Sequence, residues 1–213
     1  MDALELFTGK HAVYARFIRL VLYPQGIEAF FRHAPSCAPD NASSTPDVGR
    51  GSSRSRFGTR ARRGLTLGPI HAFDLTPAMI ERFQRTLAVR RIEGVEIAEA
   101  NVLALDNLPQ CWRDYDLIVS ASMLEYVARD RLPDALRGLR DRLADDGRFV
   151  LFITRRNWFT RPFIGRWWHS NLYTAGELRQ AFREAGFDHI EFRRFPLAAR
   201  YLAIWGHIVE ALR

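Results

Sequence analysis

An α/β fold on a doubly wound, mostly parallel sheet is what this sequence predicts, from three observations. From Ile70 onward, strand-like and helix-like segments alternate with short connections, a pattern that calls for right-handed βαβ crossovers. "YDLIVSAS" carries a continuous apolar run, as a strand buried on both faces does. The last two strand-like segments, "HIEFRRF" and "YLAIWGHIVEAL", have no helix between them. They should pair antiparallel at one edge.

Residues 11 to 33 place Val13, Phe17, Leu20 and Val21 at helical spacing, turn at "YPQG" and resume as a second short helix. Residues 1–33 are therefore read as N-terminal covering helices, 34–63 as an aberrant Ser/Arg/Pro-rich segment, and 64–213 as the rest of a single domain. "IHAFD" reads as a buried strand, and "TPAMIERFQRTLAVRR" as a helix capped by Thr76 with Pro77 at its first position. "VEIAEA" is the next strand. "DRLPDALRGLRDRLADDG" is an amphipathic helix stopped by Gly147, and "RFVLFIT" a strand after it. "TAGELRQAFREAGF" is a helix capped by Thr174.

The chain of 213 residues, 47% hydrophobic, is long enough for a substantial core. Cys37 and Cys111 make neither a disulfide framework nor a metal-ligand spacing. Asp2 and Glu5 interrupt any apolar leader, and no apolar stretch reaches the roughly 18 residues of a membrane span. These features predict a cytoplasmic setting and no bound metal. The formal charge of +7 is uneven. Six arginines (50, 54, 56, 60, 62 and 63) against Asp40 and Asp47 place +4 of it between Ala34 and Arg63. Elsewhere the signs are mixed, so no nucleic-acid partner is expected. Lys10 is the only lysine, which points to a GC-rich coding sequence.

In a doubly wound sheet, ligands sit beyond the carboxyl ends of the strands near the switch point. Asp74 ends the first clear strand. A carboxylate there can accept two hydrogen bonds from a ribose diol, or it can cap the turn into the next helix. Asn101 follows the next strand and can pair with an adenine edge, or stabilise its own turn. Ser120 and Ala121 close the third strand and are small enough for a ligand to lie against the backbone.

Taken in order, "IHAFDLTPAMIERFQ", "VEIAEANVLALDNLP", "YDLIVSASMLEYV" and "LRDRLADDGRFVLFIT" resemble the class I S-adenosylmethionine-dependent methyltransferases. The resemblance implies a seven-stranded Rossmann-like sheet with S-adenosyl-L-methionine as cofactor. It implies that Asp74 binds the ribose hydroxyls with Leu75 beside the adenine. Asn101 and Val102 would contact the adenine, and Ser120 would lie near the methionine moiety. The family more often has Asp at the position of Asn101.

The main departure lies upstream. The family places an apolar strand, an acidic residue and a glycine-rich loop before "IHAFD". Those glycines let backbone approach the ligand without a Cβ clash. Here the chain reads "TPDVGRGSSRSRFGTRARRG". Serine codons of the TCN type, read from the preceding base, encode only Phe, Leu, Ile or Val. Back-translating Pro39 to Arg54 with GC-rich codons and starting from the third base gives GQRVLDAGCGTGIVT, which is the missing motif. Two compensating frame shifts, near 34–38 and 59–63, account for it; a genuine Ser/Arg/Pro linker is the alternative. As written, residues 34–63 should lie outside the sheet, leaving a gap or a poorly paired strand at its centre.

On the acceptor side, Glu125, Tyr126, His169 and Tyr173 are candidate polar groups near strand ends. The Trp-rich "NWFTRPFIGRWWHSNLY" can form an apolar wall or lid, or a satellite hydrophobic cluster. The leading expectation is a methyltransferase acting on a small molecule, with activity in doubt for the written chain. Its alternatives are a lipid-substrate methyltransferase at a membrane surface and a non-catalytic binding module of the same fold. The catalytic residues stay unassigned.

Overall fold

The computed structural model describes residues 27, 30, 31, 52–54, 69–158, 160 and 170–213, with residues 52–54 described as backbone. Seven strands form one sheet: β1 (Ser52–Arg54), β2 (Ile70–Asp74), β3 (Val95–Glu99), β4 (Tyr115–Ala121), β5 (Leu143–Thr154), β6 (His189–Arg193) and β7 (Gly206–Leu212). Their order across the sheet is β3-β2-β1-β4-β5-β7-β6. The first five are parallel, and β7 runs antiparallel to both β5 and β6. The expected antiparallel pair is present, with β7 inserted between β5 and the edge strand β6.

Three α-helices are described over their full length: α1 (Pro77–Arg90), α2 (Leu132–Arg140) and α3 (Ala175–Glu184). α2 buries Leu132, Ala135, Leu136 and Leu139, the i, i+3, i+4, i+7 stripe of an amphipathic helix. α3 starts with a reciprocal capping box: Glu177 N–H donates to the Thr174 hydroxyl, and Thr174 N–H donates to the Glu177 carboxylate at 2.8 Å. α1 begins with Pro77 as predicted, but Thr76 makes no side-chain cap, and none of its residues is buried.

The sheet separates two apolar layers. Ile118, Phe149, Leu151, Ile153, Val209 and Ala211 pack toward α2 and α3. Val119, Val150, Phe152 and Ile208 point the other way, onto Ile27, Phe30, Ala199 and Leu202. Phe30 meets Phe152 edge to face, with centroids 5.6 Å apart. Residues 27, 30 and 31 are helical, so the part of the N-terminal region that is described does cover the sheet. Phe149 and Phe152 are fully buried, each contributing about 1.5–3 kcal/mol by apolar burial.

Three expectations need correction. The helix expected to run to Gly147 ends at Arg140, and Leu143 already begins β5. Arg142 donates to the carbonyls of Trp112 and Leu105, which draws the chain onto the sheet; buried Leu143 completes the turn. The last strand starts at Gly206 and not at Tyr201, because Leu197–Ile204 winds as a 3₁₀ helix that buries Ala199 and Leu202. Finally, Ser52–Arg54 does not lie outside. It forms the central strand, pairing with β2 at two positions and with β4 at two. The facing backbone edges of β2 and β4 need hydrogen-bond partners whatever the side chains are. It is poorly paired, as expected: β2 and β3 match at five positions.

At the far edge, Glu191 of β6 stands directly opposite Glu210 of β7. Arg193 resolves this like-charge pair, reaching Glu191 at 2.9 Å and Glu210 at 3.3 Å, and Arg148 reaches Glu210 at 3.4 Å.

β5 enters the sheet through an irregularity, since Tyr115 pairs with Leu143 but Leu117 with Arg148. Gly147 sits within it. A Cβ there would stand 2.5 Å from the Tyr115 carbonyl oxygen and 2.9 Å from that of Ala144. Gly147→Ala is therefore expected to destabilise the fold by about 1–3 kcal/mol, read as a lowered urea midpoint. Gly176→Ala, whose Cβ would meet only the Thr174 hydroxyl at 4.0 Å, should leave the midpoint level or raise it. Equal midpoints for the two variants would overturn the packing account.

Candidate active site

The strand order reverses direction between β1 and β4, so the carboxyl ends of β2, β3 and β4 border the switch point. Asp74 ends β2, as expected. Its Oδ1 accepts the Thr76 N–H at 2.8 Å, so the carboxylate does serve the turn. Oδ2 has no partner among the described residues. Leu75, next in the chain, is a half-exposed apolar side chain.

Asn101 lies close by, because Ala100 N–H donates to the Asp74 carbonyl at 3.0 Å. Its Oδ1 accepts the Leu103 N–H at 2.9 Å and its carbonyl accepts the Ala104 N–H at 2.9 Å, closing a turn. The Asn101 side chain is thus engaged with its own backbone, with its amide group still at the surface. Val102 turns inward and packs in the core with Leu105. Leu103, which sequence reasoning passed over, carries the exposed apolar surface of this turn. Ser120, near the end of β4, is buried, and its hydroxyl has no partner among the described residues.

β4 leaves the sheet through Ser122, whose φ of 54° is uncommon for a residue other than glycine. Ser122 N–H donates to the Phe152 carbonyl at 3.0 Å. The 3₁₀ turn Leu124–Tyr126 follows and drives Glu125 inside. One carboxylate oxygen, Oε2, accepts the backbone N–H of Thr154 at 3.0 Å and its hydroxyl at 2.9 Å. Burial pushes the Glu125 carboxyl up to about 7, against the opposing pull of those two bonds. The Glu125 carbonyl accepts the Asn171 N–H at 2.8 Å.

Tyr173 joins this cluster through its N–H, which donates to the Thr154 carbonyl at 3.3 Å. The Arg129 guanidinium lies 4.8 Å from the centre of its ring, a cation–π contact. Burial raises the Tyr173 hydroxyl, and the hydroxyl has no partner among the described residues. His207 on β7 is half-buried, with its Nε2 enclosed and also unpartnered among the described residues. Burial and the Arg155 charge lower its imidazole to about 4. Thr154, Arg129 and His207 gave no signal in the sequence, since a Thr at a strand end and a lone His are ordinary. Tyr126 ends the same 3₁₀ turn as Glu125, whereas His169 and the paired Trp167 and Trp168 lie outside the described residues.

A family model described as a methyltransferase domain matches residues 48–149. The match begins at Val48, inside the Ser/Arg-rich segment. A protein from Nostoc punctiforme assigned as an O-methyltransferase superposes with a TM-score of 0.54 at 17% identity, covering 68% of this chain and 44% of that one. For an O-methyltransferase family protein from Burkholderia thailandensis the values are 0.56, 15%, 68% and 43%. The phosphoethanolamine N-methyltransferase 2 of Haemonchus contortus, solved with phosphomonomethylethanolamine and S-adenosylhomocysteine, gives 0.65 at 10% identity over 100% of this chain and 60% of its own. The chain thus spans less than two thirds of the length of each, and identities this low speak for the fold alone. No curated protein matches the sequence. The seven-stranded order with its antiparallel β7 is the Rossmann-like fold of these methyltransferases, and the methyltransferase-domain match over residues 48–149, from β1 into β5, agrees with it.

Proposed function

We propose that the chain is an S-adenosylmethionine-dependent methyltransferase with a small-molecule acceptor. The observation that carries the reading is the carboxyl end of β2. Asp74 offers a carboxylate oxygen beyond the one its turn consumes, with half-exposed Leu75 beside it. An open acidic acceptor next to an apolar surface fits the diol and the base of an adenosine-type ligand. Asn101 can add its free amide, Val102 only its main chain, and Ser120 an unsatisfied hydroxyl two strands away. Two neighbours of similar fold, one of them named as PigF, were solved with S-adenosylhomocysteine, which supports the same ligand here.

The bound cofactor supplies an activated methyl group for in-line transfer. The chain's own task is alignment and exclusion of water. Glu125 serves it as a positioning residue. By holding both the N–H and the hydroxyl of Thr154, it ties the turn after β4 to the end of β5. Tyr173 closes the same corner, with a buried hydroxyl that has no partner among the described residues.

A second reading rests on β1. A strand of three residues preceded by "VGRG" gives the cofactor loop little support, so the written chain should bind S-adenosylmethionine weakly. The frame-shift account then assigns this defect to the reading frame.

Three measurements test these readings. Asp74→Ala should weaken S-adenosylmethionine binding at least tenfold by calorimetry, given about 1.5–3 kcal/mol for a hydrogen bond to a charged group. Asp74→Asn, which keeps the acceptor for Thr76, should fall between; unchanged affinity in both would remove Asp74 from the site. Replacing residues 39–53 by GQRVLDAGCGTGIVT should raise both cofactor affinity and the melting temperature. A gene whose shifted frame lacks the glycine cluster would overturn the frame-shift account.

The third concerns Glu125. Its carboxyl moves from an ordinary 4.5 to about 7 in the folded chain. Between those values the native state holds the proton longer than the unfolded chain, so stability falls as pH rises through this window. His207, lowered to about 4 from 6.5, works the other way, adding stability as pH rises from 4 to 6.5. The two slopes oppose each other, so the parent's pH curve conceals them. Glu125→Gln removes only the first, and its stability relative to the parent should climb between pH 4.5 and 7. A difference independent of pH would show that Glu125 does not titrate there.

A further inference from the structure

Among the described residues, large apolar side chains that stay exposed are concentrated at one place. Of the seven described, Trp158, Leu197, Tyr201 and Ile204 belong to two segments that are bonded together. The Asn157 amide donates to the Ile204 carbonyl at 2.7 Å, and Arg155 N–H to the Trp205 carbonyl at 2.9 Å. Trp158 is 86% exposed and Leu197 85%. The 3₁₀ helix Leu197–Ile204 explains the arrangement. With three residues per turn, Ala199 and Leu202 face the core while Tyr201 and Ile204 face outward. Both faces of this helix are therefore apolar; the inner one is buried, and the outer one carries the exposed Leu197, Tyr201 and Ile204.

The charge around the patch is of one sign. Residues 155–158 and 194–205 contain Arg155, Arg156, Arg194 and Arg200, all exposed, and no Asp or Glu. Arg156 is paired with Glu177 at 3.0 Å. Arg155, Arg194 and Arg200 have no acidic partner among the described residues. The face lies where β5 ends and β7 begins, at the same end of the sheet as Asp74 and Ser122.

We propose that this face docks the protein on an anionic lipid surface. Trp158, Leu197 and Ile204 enter the headgroup layer, and Arg155, Arg194 and Arg200 meet the lipid phosphates. Trp at the interface and Arg around an apolar centre are the side chains that suit such a layer. A nucleic acid would engage the arginines and leave the apolar centre wet, which is why lipid is the better match. Docking of this kind would turn the open end of the site toward the membrane. It is independent of methyl transfer, so it can hold where the proposed activity fails.

The test is cosedimentation of the full chain with vesicles of phosphatidylcholine alone and of phosphatidylcholine with phosphatidylglycerol. Binding should favour the anionic vesicles and weaken with salt. The double variant Trp158→Ser/Leu197→Ser should lose about tenfold or more in affinity, with its melting temperature unchanged. Arg194→Glu/Arg200→Glu should abolish the preference for phosphatidylglycerol. Three results would overturn the proposal. One is no binding to anionic vesicles, and another is binding that survives both variants. The third is an oligonucleotide bound in place of the vesicles, with only the arginine variant sensitive.

Discussion

The molecule depends on a strand three residues long. Among the described residues, β1 is the one strand that joins the β3-β2 pair to the β4-β5-β7-β6 group across the sheet. The two halves carry different members of the candidate site. One presents Asp74, Leu75 and Asn101; the other presents Ser122, Glu125 and Tyr173. A reaction between ligands held by the two halves needs their spacing fixed to within a fraction of an ångström. Here that spacing rests on two matched positions on each side of β1. Each further register position would add backbone hydrogen bonds in the direction that resists shear.

The two halves also differ in how firmly they are built. β4, β5 and β7 pack Phe149, Leu151 and Ile153 against α2 and α3 on one face, and Val150 and Phe152 against Phe30 and Leu202 on the other. The Glu125–Thr154 contact ties off the carboxyl end of that block. α1, flanking β2 and β3, buries none of its residues. The margin that carries Asp74 and Asn101 thus belongs to the thinner half, where local opening costs least.

Most of the architecture was legible because periodicity and caps carry it. The amphipathic character of α2 and the Thr174 cap of α3 follow from spacing and residue type, and β2 through β4 fall within a residue of their predicted limits. The failures have a common cause. Arg142 pulling Leu143 into the sheet, Leu197–Ile204 coiling over a core and Ser52–Arg54 taking the central place are all tertiary demands that override local preference. The site divides in the same way. The place of Asp74 at a strand end was legible, as was its service to the turn that follows. The meeting of Glu125 with Thr154 and Tyr173 joins residues far apart in sequence, and neither a Thr nor a His at such positions announces itself.

The charged ladder at the far edge bears on how copies of this chain can meet. β6 presents His189, Glu191 and Arg193 along its length, and β3, at the opposite rim, carries Glu96 and Glu99. A second chain seeking to extend the sheet would have to bring its own strand against these charges, some of them already committed to partners. Strand-by-strand growth into fibrils is therefore disfavoured at both rims. The weak seam in the middle of the sheet is a different hazard: if it parts, it exposes two fresh edges that carry no such protection.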